Sequence, residues 1–351
     1  MKKLLIFAAA LILAGCSRQE SQHPQKRAVS HQPDAAETRL RKMSEDDRIR
    51  QMFVVRPQNA DAAKTGGIIL FAQDMSDPKK LISSLQNAAP TPLLVGVDQE
   101  GGTVSRLSAN PSLTNNRQFP SPQESFAKGG IKGAVNEADQ TAQILHSLGF
   151  NWNLAPVADV SQNMESFIYP RTLGQDTKTT AGYIRQVVPA IQQQGVAACL
   201  KHFPGYGAAG DTHTGFASED EACLEPFEAG IRSGADTILV AHVVVRSIDA
   251  DLPASLSPKI HALLRRKLGF KGVIVTDDLA MGAIRQFAQE RNADPEVLAV
   301  EAGNDMIMSE NVESGVSAIK QAISDGKISR RQIDESALRI LRLKEKLGLV
   351  K

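Results

Sequence analysis

The chain has 351 residues, 42% of them hydrophobic, and a formal net charge of +1. That length suits one large domain or two ordinary ones with a sizeable core, and near-neutrality argues against a nucleic-acid partner gripped through a basic face. The three cysteines, Cys16, Cys199 and Cys223, make neither a disulfide framework nor a zinc-ligand spacing. Cys199 and Cys223 are the one pair that could join, and two buried thiols are the plainer reading.

Lys2 and Lys3 precede an apolar run from Leu4 to Leu13, too short to span a bilayer as a mature helix. The run closes in Leu13-Ala14-Gly15-Cys16, which resembles the lipobox of bacterial lipoproteins. The resemblance implies a signal peptide over residues 1–15, lipidation of Cys16, and a membrane anchor through that lipid. Ser17 rather than aspartate after the cysteine implies the outer membrane in a Gram-negative host. Residues 16–35 are rich in Ser, Gln, His and Pro with little to bury, so they read as a flexible tether. A single folded domain is expected over 36–351.

Within that domain Ser44-Glu-Asp-Asp47 ahead of Ile49, Met52 and Phe53 predicts a helix start, with acids in the first turn favouring the macrodipole. Strand-like and helical patterns then alternate. Strands are predicted over Gly66–Phe71, Pro92–Asp98, Asn151–Val160, Val196–Leu200, Thr237–Val245, Gly272–Leu279 and Asp305–Met308. Helices are predicted over Pro78–Asn87, Lys132–Leu148, Thr179–Gln194, Glu219–Ser233, Pro258–Leu268, Pro295–Ala302 and Glu313–Ser324. Ser329-x-x-Gln332 reads as a capping box opening a last helix with Ile333, Ala337, Ile340 and Leu341 on one face. Continuous apolar strands alternating with helices imply a parallel sheet covered on both faces. Seven or eight such units fit an α/β fold of the (β/α)8 barrel type better than a doubly wound sheet.

In such a barrel, functional groups gather where strands end. Asp98 follows the second predicted strand with Arg106 shortly after, and Arg171 follows the third. The fourth runs into Lys201 and His202, then a glycine-rich loop carrying Asp211 and His213. His242 falls in the fifth strand, Asp277 and Asp278 end the sixth, and Ser309-Glu310 follows the seventh. Carboxylates and bases converging on one polar pocket suit glycoside hydrolysis, which needs a carboxylate facing the anomeric carbon and an acid/base at the leaving oxygen. Successive strand residues point to opposite faces, so only one of Asp277 and Asp278 should aim at the pocket while the other caps the next turn. His213 on the loop could be the acid/base, its ring oriented by Asp211.

The chain resembles single-barrel β-N-acetylglucosaminidases of glycoside hydrolase family 3. The motifs that carry the resemblance are MSEDDRIRQMF (43–53), VDQEGGTVSRL (97–107), NWNLAPVADV (151–160), KHFPGYG (201–207), DTH (211–213) and VTDDLAMGAI (275–284). The resemblance implies Asp277 as nucleophile and His213, assisted by Asp211, as acid/base. It places Asp98, Arg106, Arg171, Lys201 and His202 in substrate binding, and implies a carbohydrate substrate with no cofactor or metal. The chain ends before the second α/β sandwich domain that many family 3 enzymes carry. It departs from the family pattern at Thr103 and Tyr206, where arginine and histidine are usual, and in a loop one residue shorter before Asp211. The alternatives are a non-catalytic sugar-binding lipoprotein, a β-glucosidase or phosphorylase of the same family, and a metal-dependent hydrolase built on His202, Asp211, His213 and His242.

Overall fold

Eight short strands close into one all-parallel barrel. They are β1 (Phe53–Val55), β2 (Gly67–Leu70), β3 (Leu94–Val97), β4 (Trp152–Asn153), β5 (Ala197–Phe203), β6 (Thr237–Val240), β7 (Val273–Asp278) and β8 (Met306–Met308). Each pairs with its sequence neighbours, and β8 closes the ring on β1 through Phe53↔Ile307 and Val54↔Met308. This computed structural model describes residues 34–207, 210–211, 218–219 and 222–351. The expected signal peptide, the lipidation site Cys16, most of the expected tether, and His213 lie outside the described residues.

The strands are buried along their whole length, apart from Asp277 and Asp278 at the end of β7, and are mostly apolar. That is what helices on the outer face and packed side chains inside require. The buried Trp152 indole is satisfied inside the barrel, since its Nε1 donates to Thr237 Oγ1 at 2.9 Å. Buried Asp305, just before β8, accepts from the Ile274 N–H, Ser336 Oγ, Arg339 and Arg265, tying the last helix to the barrel floor.

Several boundaries differ from the expected ones. Ser44 forms its capping box with Asp47, but the helix runs only from Glu45 to Arg50, and Phe53 opens β1 instead. Ile49, Met52 and Phe53 have helical spacing, and a three-residue strand is too short to show a period of its own. β4 stops at Asn153; the stretch beyond it still bonds β5, through the bridge Val157↔Lys201 and the Cys199 N–H to the Ala155 carbonyl at 2.8 Å, but Pro156 has no N–H to continue a regular ladder. β6 stops at Val240, while Val244–Val245 pairs outside the barrel with Ser218–Glu219. The helix expected from Glu219 begins at Glu225. Pro122–Ser147 is helical on both sides of a break at Gly129 and Gly130, and Gly282–Arg291 is a helix the periodicity did not announce. Ser329 caps the last helix through the Gln332 N–H, but the Gln332 side chain turns to the Val300 carbonyl, so the box is half made. Cys199 and Cys223 are both free thiols.

Candidate active site

Asp98 leaves β3 and the chain doubles back at once. Gln99–Gly101 pairs antiparallel with Val104–Ser105. The turn needs its two glycines: φ is +94° at Gly101 and +58° at Gly102, and a Cβ on Gly101 would lie 2.2 Å from the Pro120 carbonyl oxygen. The Gln99 amide locks the hairpin, donating to Ser105 Oγ at 2.8 Å and accepting the Leu107 N–H at 3.0 Å. The result returns Arg106 to Asp98, with Nη2 3.6 Å from Oδ2.

Lys201 and His202 belong to β5 itself rather than to the loop after it. Lys201 Nζ lies 2.6 Å from both Asp98 Oδ1 and Glu100 Oε1. Arg171 grips the same Glu100 with two bonds, at 2.9 and 2.7 Å. The Glu100 side chain is 1% exposed, so it serves the protein rather than solvent. Burial alone would raise its carboxyl, but Lys201 and Arg171 bring it down to about 2. Burial likewise opposes the charge on Lys201, yet Asp98 and Glu100 raise it above the ordinary lysine value, so it stays an ammonium. The chain of contacts continues from Arg171 Nη2 to His202 Nε2 at 2.9 Å and from His202 Nδ1 to Asp159 Oδ2 at 2.7 Å. An arginine can only donate, so Nε2 must accept and the proton must sit on Nδ1, facing Asp159. Burial would raise the Asp159 carboxyl; the His202 ring and the N–H groups of Tyr206 and His202 hold it below the usual carboxylate range.

Across the barrel mouth, β7 delivers Asp277 and Asp278. Asp277 Oδ1 accepts the Asp278 N–H at 2.9 Å, and Asp278 Oδ1 accepts the Ala280 N–H at 2.9 Å, capping the turn as expected. Beneath them buried His242 bonds the Asp278 carbonyl at 3.0 Å and Ser255 Oγ at 2.7 Å, steadying the backbone that carries both acids. Asp98, Arg106, Arg171, Lys201, His202, Asp277 and Asp278 all line one cavity of about 390 Å³, a volume suited to a small ligand.

Residues 45–343 match the family described as the glycosyl hydrolase family 3 N terminal domain. The chain belongs to that family. It is 28% identical to a β-N-acetylglucosaminidase/β-glucosidase of Cellulomonas fimi, over 89% of this chain and 59% of that protein. It is 34% identical to a β-hexosaminidase of Xanthomonas oryzae pv. oryzae, over 62% of this chain and 68% of that one. A glycoside hydrolase family 3 β-N-acetylglucosaminidase from Paenibacillus sp. superposes with a TM-score of 0.79 at 31% identity, covering 88% of this chain and 63% of that structure. The chain thus spans less than two thirds of the Cellulomonas and Paenibacillus proteins.

In this family 3 barrel, six of the site positions singled out in sequence line one cavity. Asp98, Arg106, Arg171, Lys201, His202 and Asp277 share the cavity, and Asp211 is half-buried on the loop beyond β5. His213 lies outside the described residues. Tyr206, one of the departures, is buried edge-on against Phe167 at 4.9 Å and His202 at 5.2 Å, so it supports β5's end from behind. Both ring nitrogens of His202 and of His242 are already engaged by protein groups, which takes two of four ligands from the metal-hydrolase alternative. Glu100 and Asp159 were missed. Each stood in a singled-out motif, as a carboxylate in an otherwise strand-like or glycine-rich run. Arg56, Phe71 and Glu310 also line the cavity.

Proposed function

We propose that the chain is an exo-acting, retaining β-N-acetylglucosaminidase that removes terminal β-linked N-acetylglucosamine from peptidoglycan fragments or chitooligosaccharides. The observation that carries this is one cavity with Asp277 on β7 opposite a locked set of sugar-hydroxyl partners on β3–β5. Asp98 accepts from hydroxyls while Arg106, Arg171 and Lys201 donate, each pre-aimed by a buried or half-buried carboxylate. Asp277 attacks the anomeric carbon, forming the glycosyl–carboxylate bond as the glycosidic C–O bond breaks. His213 gives its proton to the leaving oxygen, then takes one from water as that water displaces Asp277. Membership of the family, and relatives named for this activity, support the reading.

The test is paired. Asp277→Ala should abolish turnover, whereas His213→Ala should retain slow cleavage of substrates with good leaving groups, since one proton-transfer role is worth about 10²–10⁴ in rate. Equal and complete loss in both, or a product of inverted configuration, would overturn the assignment. The name of the Cellulomonas relative joins two activities, so rates on the glucoside and the N-acetylglucosaminide should be compared directly. We also propose that the lipobox-like Leu13–Cys16 run leads to lipid anchoring in the cell envelope. Cys16→Ser should then move the protein from the membrane fraction to the soluble one; an unchanged distribution would refute anchoring.

A further inference from the structure

We propose that the end of the barrel opposite the catalytic cavity carries an anion site, built on Arg39, Lys42, Gln51 and Lys344, that takes a phosphate group. The site does not depend on the hydrolase reading. Its parts stand ahead of the first three strands. Arg39 lies on the Ala35–Arg41 helix and Lys42 caps that helix, while Gln51 precedes β1, Lys64 precedes β2 and Thr91 precedes β3. With Asp47, these side chains line a cavity of about 180 Å³, which has room for a tetrahedral oxyanion.

The charges there do not balance. Arg39 Nη2 donates to the Pro90 carbonyl and, at 2.9 Å, to Thr91 Oγ1, and both partners are neutral. Lys42 is exposed. Among the described residues, neither cation has a carboxylate partner. Lys64 does have one, with Nζ 3.1 Å from Asp61 Oδ1. The acid on the cavity wall, Asp47, is turned to the Ser44 N–H and hydroxyl, at 3.2 and 2.7 Å.

A third cation lies behind the wall. Lys344 is fully buried and donates to Gln51 Oε1 at 2.7 Å. Gln51 is 2% exposed and lines the cavity, so Lys344 stands one side chain away from a guest there. The Gln51 Nε2 makes one long bond, 3.4 Å to the Thr65 carbonyl, and keeps a second N–H unspent. Burial, and then the Arg39 charge, lower the Lys344 amine to about 7. Two cations thus act on each other, and no carboxylate among the described residues pairs with either. Such an arrangement is costly until an anion enters. A phosphate group brings charge to answer Arg39, Lys42 and Lys344 together, and oxygens to accept from guanidinium, ammonium and amide. A neutral sugar would leave the charges as they are. Two sources carry this chemistry: a phosphodiester headgroup of the membrane to which the proposed anchor at Cys16 leads, and free phosphate.

The readout is the calorimetric affinity of the full chain for inorganic phosphate, at neutral pH and constant ionic strength. It should fall about tenfold in Arg39→Gln and in Lys42→Gln, and fall also in Lys344→Met. Lys42 is exposed, so its variant keeps the test independent of folding. A parent that does not bind phosphate, or an affinity unchanged in Lys42→Gln, overturns the site. Binding is read without turnover, so failure of the hydrolase reading leaves this test intact. Sedimentation of the Cys16→Ser chain with vesicles separates the sources, using phosphatidylcholine alone against phosphatidylcholine with phosphatidylglycerol. Vesicle binding that needs phosphatidylglycerol and is lost in Lys42→Gln assigns the headgroup. Phosphate binding without vesicle binding assigns the free ion.

Discussion

The Glu100 side chain is almost wholly shielded from solvent, yet two of the side chains expected to hold sugar are aimed by it. Its two oxygens take both bonds of Arg171 and one contact from Lys201. Glutamine in its place would keep the shape but turn an amide N–H₂ toward donors, losing at least one charge-assisted bond and leaving Lys201 and Arg171 to compete for Asp98. Glu100→Gln should therefore lower kcat/KM about 10²-fold, with kcat falling as well as KM rising, because misaimed partners weaken the transition state more than simple occupancy. Glu100→Asp, too short but still charged, should recover part of the loss. The sign of the pH effect follows from the direction of the shift. The folded carboxyl is held down to about 2 from an ordinary 4.5, so its contribution to stability is complete above about 4.5 and is lost as pH falls through about 2. The acid limb of a thermal-denaturation series should be shallower in Glu100→Gln than in the parent; equal limbs would show that Glu100 is not held ionised.

At the scale of elements, what could be read from sequence depended on how much pattern each segment carried. Long amphipathic helices such as Thr177–Gln193 and Arg330–Lys346 announced themselves within a few residues, and apolar runs such as β2, β3 and β7 were too continuous to be anything but buried strands. β1 was hidden because three residues beside a well-capped helix share that helix's spacing. β4 and β6 were drawn too long because apolar residues continue past the regular ladder, into segments that bridge irregularly or pair outside the barrel. The site was legible for the same reason that the barrel was: charges directly after apolar strands have one place to go. Asp98, Lys201, His202 and Asp277 obey that rule, and their motifs named the family. Glu100 and Asp159 do not stand out by type or spacing. Glu100 matters only because a two-glycine hairpin folds it under Arg171, and Asp159 only because the end of β5 brings His202 onto it. Those are consequences of tertiary placement, which a linear pattern does not encode.

At the scale of the whole molecule, the first described helices and the last one are clasped together beneath the barrel. Arg48 pairs with Asp334, Arg330 with Glu45, and Arg342 with Asp34 and Glu37. These pairs are substantially exposed and each is worth little in water. The expensive group in the clasp is Lys344. It is fully buried and donates to Gln51 Oε1 at 2.7 Å, with no carboxylate partner among the described residues. Burial, with a smaller push from the Arg39 charge, lowers its amine to about 7 from an ordinary 10.5. Between those two values the unfolded chain holds a proton that the folded chain does not, so folding is favoured as pH rises from about 7 toward 10.5. Below about 7 both states are protonated, and the fold carries the full cost of a buried ammonium, on the order of several kcal/mol. Lys344→Met would remove that cost and leave Gln51 Oε1 without its donor, a loss of about 1–3 kcal/mol. The variant should accordingly be more stable than the parent at pH 6, by roughly 1–3 kcal/mol, with the advantage shrinking or reversing by pH 10, where the folded parent's amine is neutral and no buried charge remains. Chemical denaturation at the two pH values measures this directly. A stability difference independent of pH would mean that Lys344 keeps its proton inside the fold.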